Sequence, residues 1–280
     1  MKTAIVTDST AYIPVQIREQ FNIHIIPLSV IFGDESFKEE VEISSAQFYQ
    51  DVKNKELPKT SQPSTGDFIA LYEELSKEYD AVISIHLSSA ISGTFQGAVT
   101  AGSMVENIKV YPFDSEISCM VQGFLVIEAA ELANAGKSPE EIIHRLEEMR
   151  QTNEAYFMVD DLSHLQRGGR LSGAQAFIGS LLQVKPLLRF TNQTIVPFEK
   201  IRTRKKAMRR IVELLTEGVK DGSSYKATII HANREEEAVN WKNELESQFS
   251  NVEFDISYFG PVIGTHLGEG SMGIGWVKIK

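Results

Sequence analysis

The chain has 280 residues, 42% of them hydrophobic, which exceeds what one compact core usually organises and predicts two packed lobes. A formal net charge of -10 excludes a general nucleic-acid binder, because such binding draws its affinity from Lys and Arg neutralising phosphates. A single cysteine, Cys119, excludes an intrachain disulfide and leaves too few ligands for a Cys-based zinc or iron–sulfur site.

The first elements are a strand from Thr3 to Thr7, ending in Asp8-Ser9-Thr10, and a helix opened by Pro14. The apolar run before Asp8 is too short for a signal peptide, and no later stretch reaches the roughly 18 apolar residues of a membrane span. A cytoplasmic protein without a transmembrane segment is therefore expected. A second apolar run covers residues 23–32, and Ser44 and Gln47 have capping-box spacing for a short helix. A helix over residues 66–77, a buried strand over 81–85, a helix ending near Met104 and a strand over 110–113 come next. Helices over residues 118–135 and 139–150 close this half, the second announced by a capping Ser138, Pro139 and the early acids Glu140 and Glu141. Strict alternation of strand and helix predicts a parallel sheet, so residues 1–150 are expected to form an N-terminal α/β domain.

Past Gln151 the pattern changes. Strands at 155–159, 187–190 and 195–199, the latter two joined by a turn at Asn192-Gln193, precede strands near 227–231, 252–258 and 274–279. With helices at 203–218 and 235–249, this predicts a second α/β domain over 151–280 with a mixed or antiparallel sheet. The expected class is thus two-lobed α/β, with a ligand between the lobes.

No phosphate loop, dinucleotide fingerprint, His-Glu-x-x-His or nucleophile elbow is present. Thr60-Ser61-Gln62-Pro63-Ser64 reads as a loop before a helix, either a plain turn and cap or an anion clamp of hydroxyls and free backbone N–H groups. Leu87-Ser88-Ser89-Ala90-Ile91-Ser92-Gly93-Thr94 repeats that logic beyond a parallel strand, where open sheets bind ligands, and Gly93 would admit a close approach. Gly168-Gly169-Arg170 offers a fixed cation for a carboxylate or phosphate, or an ordinary turn. His266 sits in a glycine-dense run, as a donor or as a bystander in a loop. The basic stretch from Lys200 to Arg210 is a solvated helix face or a docking patch for an acidic protein or anionic headgroups.

In this order Val6-Thr7-Asp8-Ser9-Thr10, Thr60-Ser61-Gln62-Pro63, Ile85-His86-Leu87-Ser88-Ser89, Ser92-Gly93-Thr94, Gly168-Gly169-Arg170 and His266 resemble the DegV family over essentially the whole chain. The resemblance implies a two-lobed carrier of one long-chain fatty acid, such as palmitate, and not a stand-alone enzyme. It implies that Thr60 and Ser92 bind the carboxylate, with Ser61 close by and His266 in the headgroup network, and that no cofactor or metal is needed. It also implies that Arg170 and Arg202 serve partner-dependent chemistry, since relatives act as the binding subunit of a fatty acid kinase whose separate ATP-dependent subunit makes the acyl phosphate. Ile91 and Phe95 depart from the leucine and tyrosine usual in the family, which bears on chain-length preference.

The energetics suit a long acyl chain: about fifteen buried CH2 groups at roughly 0.8 kcal/mol each give near 12 kcal/mol before ordering costs. Ile26, Leu28, Phe177, Ile178 and Leu181 are expected to line the tunnel, with the carboxylate near the surface and the methyl end buried. Two rival readings remain: a serine-dependent lipid hydrolase or acyltransferase built on Ser92, His266 and Asp8 or Asp114, and a regulatory protein docking, or touching a membrane surface, through residues 200–210.

Overall fold

The structure is a computed structural model that describes residues 1–53, 57–172 and 185–279. In the N-terminal half, β1 (Thr3–Asp8) and β2 (Ile23–Ile26) flank α1 (Val15–Phe21). The chain between them and the later parallel strands does not alternate as expected. The run over 23–32 breaks at Pro27, which has no N–H to give a ladder, and its second part becomes β3 (Ser29–Phe32). This strand pairs antiparallel with β4 (Glu35–Lys38) and, across α2 (Ser45–Asp51), with β5 (Lys59–Ser61), forming a separate three-stranded sheet. At α2, Ser44 accepts from the Gln47 N–H at 3.2 Å, but the Gln47 side chain goes forward to Asp51, so only half of a capping box forms. A complete box lies at α3 (Thr65–Leu75), between Ser64 and Asp67.

Next, β6 (Ala81–His86), α4 (Thr94–Gly102) and β7 (Lys109–Asp114) complete an all-parallel sheet in the order β2-β1-β6-β7. All six residues of β6 are buried, as a central parallel strand covered on both faces requires. Two helices follow: α5 (Cys119–Asn134) and α6 (Pro139–Arg150), the second with the Ser138 cap, Pro139 and acidic first turn that its sequence announces.

The C-terminal half begins with β8 (Glu154–Met158) and α7 (Ser163–Gly168), then the hairpin of β9 (Lys185–Thr191) and β10 (Thr194–Ile201). Its turn residues Asn192 and Gln193 both have positive φ, 48° and 67°, which matches the twist of a two-residue hairpin. After α8 (Arg204–Gly218) come β11 (Tyr225–His231), α9 (Glu235–Glu246), β12 (Val252–Tyr258), α10 (Pro261–Leu267) and β13 (Met272–Lys278). The six strands form a mixed sheet in the order β10-β9-β8-β13-β11-β12, antiparallel except for the β11–β12 pair.

Alternation along β13 divides two environments. Met272, Ile274 and Trp276 enter the core under α8 and α9 with Ile211, Leu215, Trp241 and Leu245. Gly273, Gly275 and Val277 face the other way, toward the N-terminal half. There α5 packs against β1 and β6 of one sheet and β11 and β13 of the other. With Met120, Val121, Phe124, Leu125 and Val126 all buried, and exposed residues only from Glu131 onward, this helix serves as the wall shared by both sheets.

Candidate ligand cavity and its polar mouth

Where the carboxyl ends of β1 and β6 face the glycine side of β13, the lobes enclose a cavity of about 290 Å³. Leu28, Leu87, Ile91, Val121, Phe157, Phe190, Ile195, Ile230, Phe259, Val262 and Ile263 make its walls apolar. Gly273 and Gly275 of β13 line it too and let the strand pack closely on its neighbours, since a Cβ on Gly275 would lie 2.3 Å from Val121 Cγ2 and one on Gly273 2.4 Å from Phe157 Cβ.

Polar groups gather at one end, where Thr60, Ser61, Ser92, Arg170 and His266 all line the cavity. Thr60 lies in β5 and not in a loop before a helix, and its Oγ1 is 2.9 Å from Nε2 of His266. His266 in turn belongs to α10 and not to a glycine loop. Its Nδ1 is buried without a hydrogen-bond partner, packed over Gly168, where a Cβ would come within 2.3 Å of it. Burial first, then the positive charges of Arg170 and Arg167, push the imidazole down to about 4, so it is neutral at pH 7. Ser92 Oγ pairs with Thr94 Oγ1 at 2.9 Å and accepts from the Thr94 N–H at 3.3 Å. Arg170 donates from Nε to the Ile91 carbonyl at 3.1 Å and from Nη1 to that of Gly168, which fixes its guanidinium beside the Ser92 loop. Ser61 turns its hydroxyl to the Gln62 carbonyl at 3.1 Å.

The expected close approach at Gly93 is real but comes from protein: a Cβ there would lie 2.1 Å from Gln62 Oε1. That contact ties the two hydroxyl segments together. A second cavity of about 320 Å³ opens beside the first, shares Thr60, Arg170 and His266 with it, and adds Lys59, His164 and Arg167. The mouth therefore faces a basic recess.

Other expected residues fall elsewhere. Arg202 is exposed between β10 and α8 and lines neither cavity. Ile26 packs in the core under α3 and α4 with Ala4, Val6 and Phe68, and not on the cavity, whereas Leu28 lines it. Phe177, Ile178 and Leu181 lie outside the described residues. Within the basic run, Arg204 is bound to Glu237 at 2.8 Å and Arg210 to Glu199 at 2.9 Å, so much of its charge is already paired.

The parts of a hydrolase do not assemble around Ser92. Asp114 accepts from the backbone N–H groups of Ser89 and Glu116, and no hydrogen bond joins Ser92 to His266. A serine–histidine–aspartate chain does exist, at Ser84 Oγ to His86 Nε2 (2.7 Å) and His86 Nδ1 to Asp8 Oδ2 (3.0 Å). All three side chains are fully buried, and Tyr72 donates to Ser84 at 2.8 Å from the interior. No substrate can reach that serine, so the chain braces β1 against β6.

Sequence reasoning missed Ser118, Cys119 and Gly275 on the cavity wall. Cys119 carries a φ of 60° at the start of α5, on the cavity wall, and burial pushes its thiol up to about 12. Alternation of Gly273 and Gly275 within a strand was the signal that could have shown a cavity face. Among the described residues no group of three or more His, Cys, Asp or Glu side chains is placed to hold a metal ion, and no helix is long and apolar enough to cross a membrane.

A model of the family described as "uncharacterised protein, DegV family" matches residues 2–279. Protein DegV of Bacillus subtilis is 64% identical over 278 residues, covering 99% of each chain, and a DegV domain-containing protein of Listeria innocua is 52% identical over 277 residues, covering 98% of each. A crystal structure of DegV from Bacillus subtilis, described as a fatty acid binding protein, superposes with a TM-score of 0.94 at 63% identity over the whole of both chains. A DegV family protein from Thermus thermophilus, reported for its fatty acid binding, gives the same TM-score at 31% identity, again with both chains fully covered. With the family pattern spanning nearly every residue and the two-lobed fold superposing end to end, this chain belongs to the DegV family.

Proposed function

We propose that this protein binds one long-chain fatty acid, of about the length of palmitate, with the tail in the apolar cavity and the carboxylate at the mouth. The observation that carries the reading is the pairing of Thr60 with a neutral His266 at a polar end of a cavity whose walls are mostly apolar. Of the two neutral tautomers, the one with hydrogen on Nε2 donates to Thr60 Oγ1 and leaves the buried Nδ1 as an unsatisfied acceptor, which costs less than an unsatisfied buried donor. Thr60 then keeps its own hydroxyl hydrogen for a ligand carboxylate. Ser92 is equally free to donate when Thr94 supplies the hydrogen of their shared bond. Arg170 adds a fixed positive charge, which compensates for bringing the carboxylate out of water. The fatty acid binding of the Bacillus and Thermus relatives supports the same assignment.

Native mass spectrometry before and after organic extraction tests the reading directly. The wild-type protein should release one fatty acid per chain, and Thr60→Ala with Ser92→Ala should lower carboxylate affinity by about 10²–10⁴-fold, as two lost bonds to a charged group predict. Unchanged retention by a folded double variant would overturn the assignment.

The basic recess supports a second step, presentation of the carboxylate to a separate ATP-dependent kinase subunit that forms the acyl phosphate. Thr60, Arg170 and His266 border both the cavity and the recess, so one headgroup can be held from one side and approached from the other. The exposed Arg202 is left for contact with that partner. Arg202→Glu should leave lipid loading intact and abolish acyl-phosphate formation in the presence of such a kinase; normal turnover would reject its role.

A further inference from the structure

Glu39 touches no part of the cavity, yet it binds the helix that presents His266. Its side chain is fully buried at the end of the β4 hairpin. Oε2 accepts from Ser9 Oγ at 2.6 Å, and Oε1 accepts from the Tyr12 hydroxyl at 2.9 Å and from the Val262 N–H at 2.7 Å. The Tyr12 oxygen also accepts from the Ile263 N–H at 3.4 Å. The first N–H groups of α10 are thus fastened to residues of the opposite lobe. Gly260 makes the approach possible, because a Cβ there would lie 2.4 Å from the Tyr12 ring and 3.1 Å from Glu39 Oε1. One turn later Gly264 rests against Tyr49 and Phe48, and then comes His266.

We infer that Glu39 is a positioning residue for the headgroup site: by holding the start of α10 it sets where His266 meets Thr60. The inference rests on the fatty-acid reading above. Burial pushes the Glu39 carboxyl up to about 7, against the pull of its donors. Tyr12, Glu40, Tyr49, Tyr258 and Cys119 are the titratable groups around it, and the nearby cation, Arg18, lies 3.9 Å from Glu40. A carboxyl retained in such a place needs a reason beyond packing, since an apolar side chain would avoid its desolvation.

The test compares palmitic acid with hexadecanol, which has the same tail and no carboxylate, on the full-length protein. Glu39→Ala should lower the preference for the acid roughly tenfold, the size of one misplaced bond to a charged group, while hexadecanol affinity stays put. In a His266→Ala background the same change should add nothing. Glu39→Gln, which keeps an acceptor for the Val262 N–H, should restore most of the preference. Equal losses for acid and alcohol, or additivity with His266→Ala, would overturn the inference. Should Glu39→Ala fail to fold, Tyr12→Phe removes only the bridging hydroxyl and is expected to lower acid preference in the same direction; no change would count against Glu39. A wild-type protein without preference for the acid would instead overturn the fatty-acid reading, and this inference with it.

Discussion

Two arrays of hydroxyl and imidazole lie in this molecule, one closed by an acid and the other flanked by an arginine, and they differ in what is left over. In the interior, Tyr72, Ser84, His86 and Asp8 form a closed chain, and Asp8 also accepts from the Leu87 N–H at 3.0 Å and from Gln122 at 3.2 Å. At the cavity mouth His266 Nδ1 has no partner, and Thr60 and Ser92 each share a bond whose hydrogen either partner can supply, which leaves their hydroxyls able to donate to a ligand. The same residue types serve the fold where their bonding is saturated and offer a site where it is not.

That contrast can be broken by mutation. Asp8→Ala should cost about 3–5 kcal/mol of stability by stranding several buried donors, visible as a large fall in melting temperature, with lipid stoichiometry per folded molecule unchanged. An undiminished melting temperature would show that the buried chain is not structural. The Glu39 carboxyl, raised in the folded state from 4.5 to about 7, binds its proton more tightly when folded. Its contribution is therefore complete below pH 4.5 and is lost as pH rises through 7, a change on the order of 3 kcal/mol that Glu39→Gln should flatten in denaturant titrations. Thr60→Val keeps the shape of β5 and should cost roughly 1.5–3 kcal/mol of carboxylate affinity with little change in stability. Affinity equal to wild type would move the headgroup elsewhere. His266, lowered to about 4, should show no protonation step in its NMR shifts between pH 8 and pH 5.5, and a step near 6.5 would mean that the mouth is wetter than the geometry indicates. Arg202→Ala should leave lipid affinity within experimental error.

Local signals were read well. Ser138-Pro139 fixed the start of α6, Asn192-Gln193 the hairpin, a continuous apolar run the buried strand β6, and apolar–polar alternation the strand β12. What escaped was decided by tertiary contact. The strands β3, β4 and β5 are only three or four residues long, too short for a period to declare itself. Gly264, Gly268 and Gly270 made the region of His266 look like a loop, whereas α10 forms because Glu39 and Tyr49 hold it from the other lobe. The hydroxyls at the mouth are legible as motifs, but nothing local shows that Thr60 rides on an edge strand instead of a loop before a helix. Glu39 carried no local mark at all, since its role depends on a helix more than two hundred residues away.

The helix shared by the two sheets bears on how the chain is made. During synthesis α5 emerges well before β11 and β13, so a growing N-terminal half displays an oily face with nothing yet to cover it. The nascent protein should attract chaperones at that stage, and residues 1–150 expressed alone should aggregate or swap partners instead of standing as an independent unit.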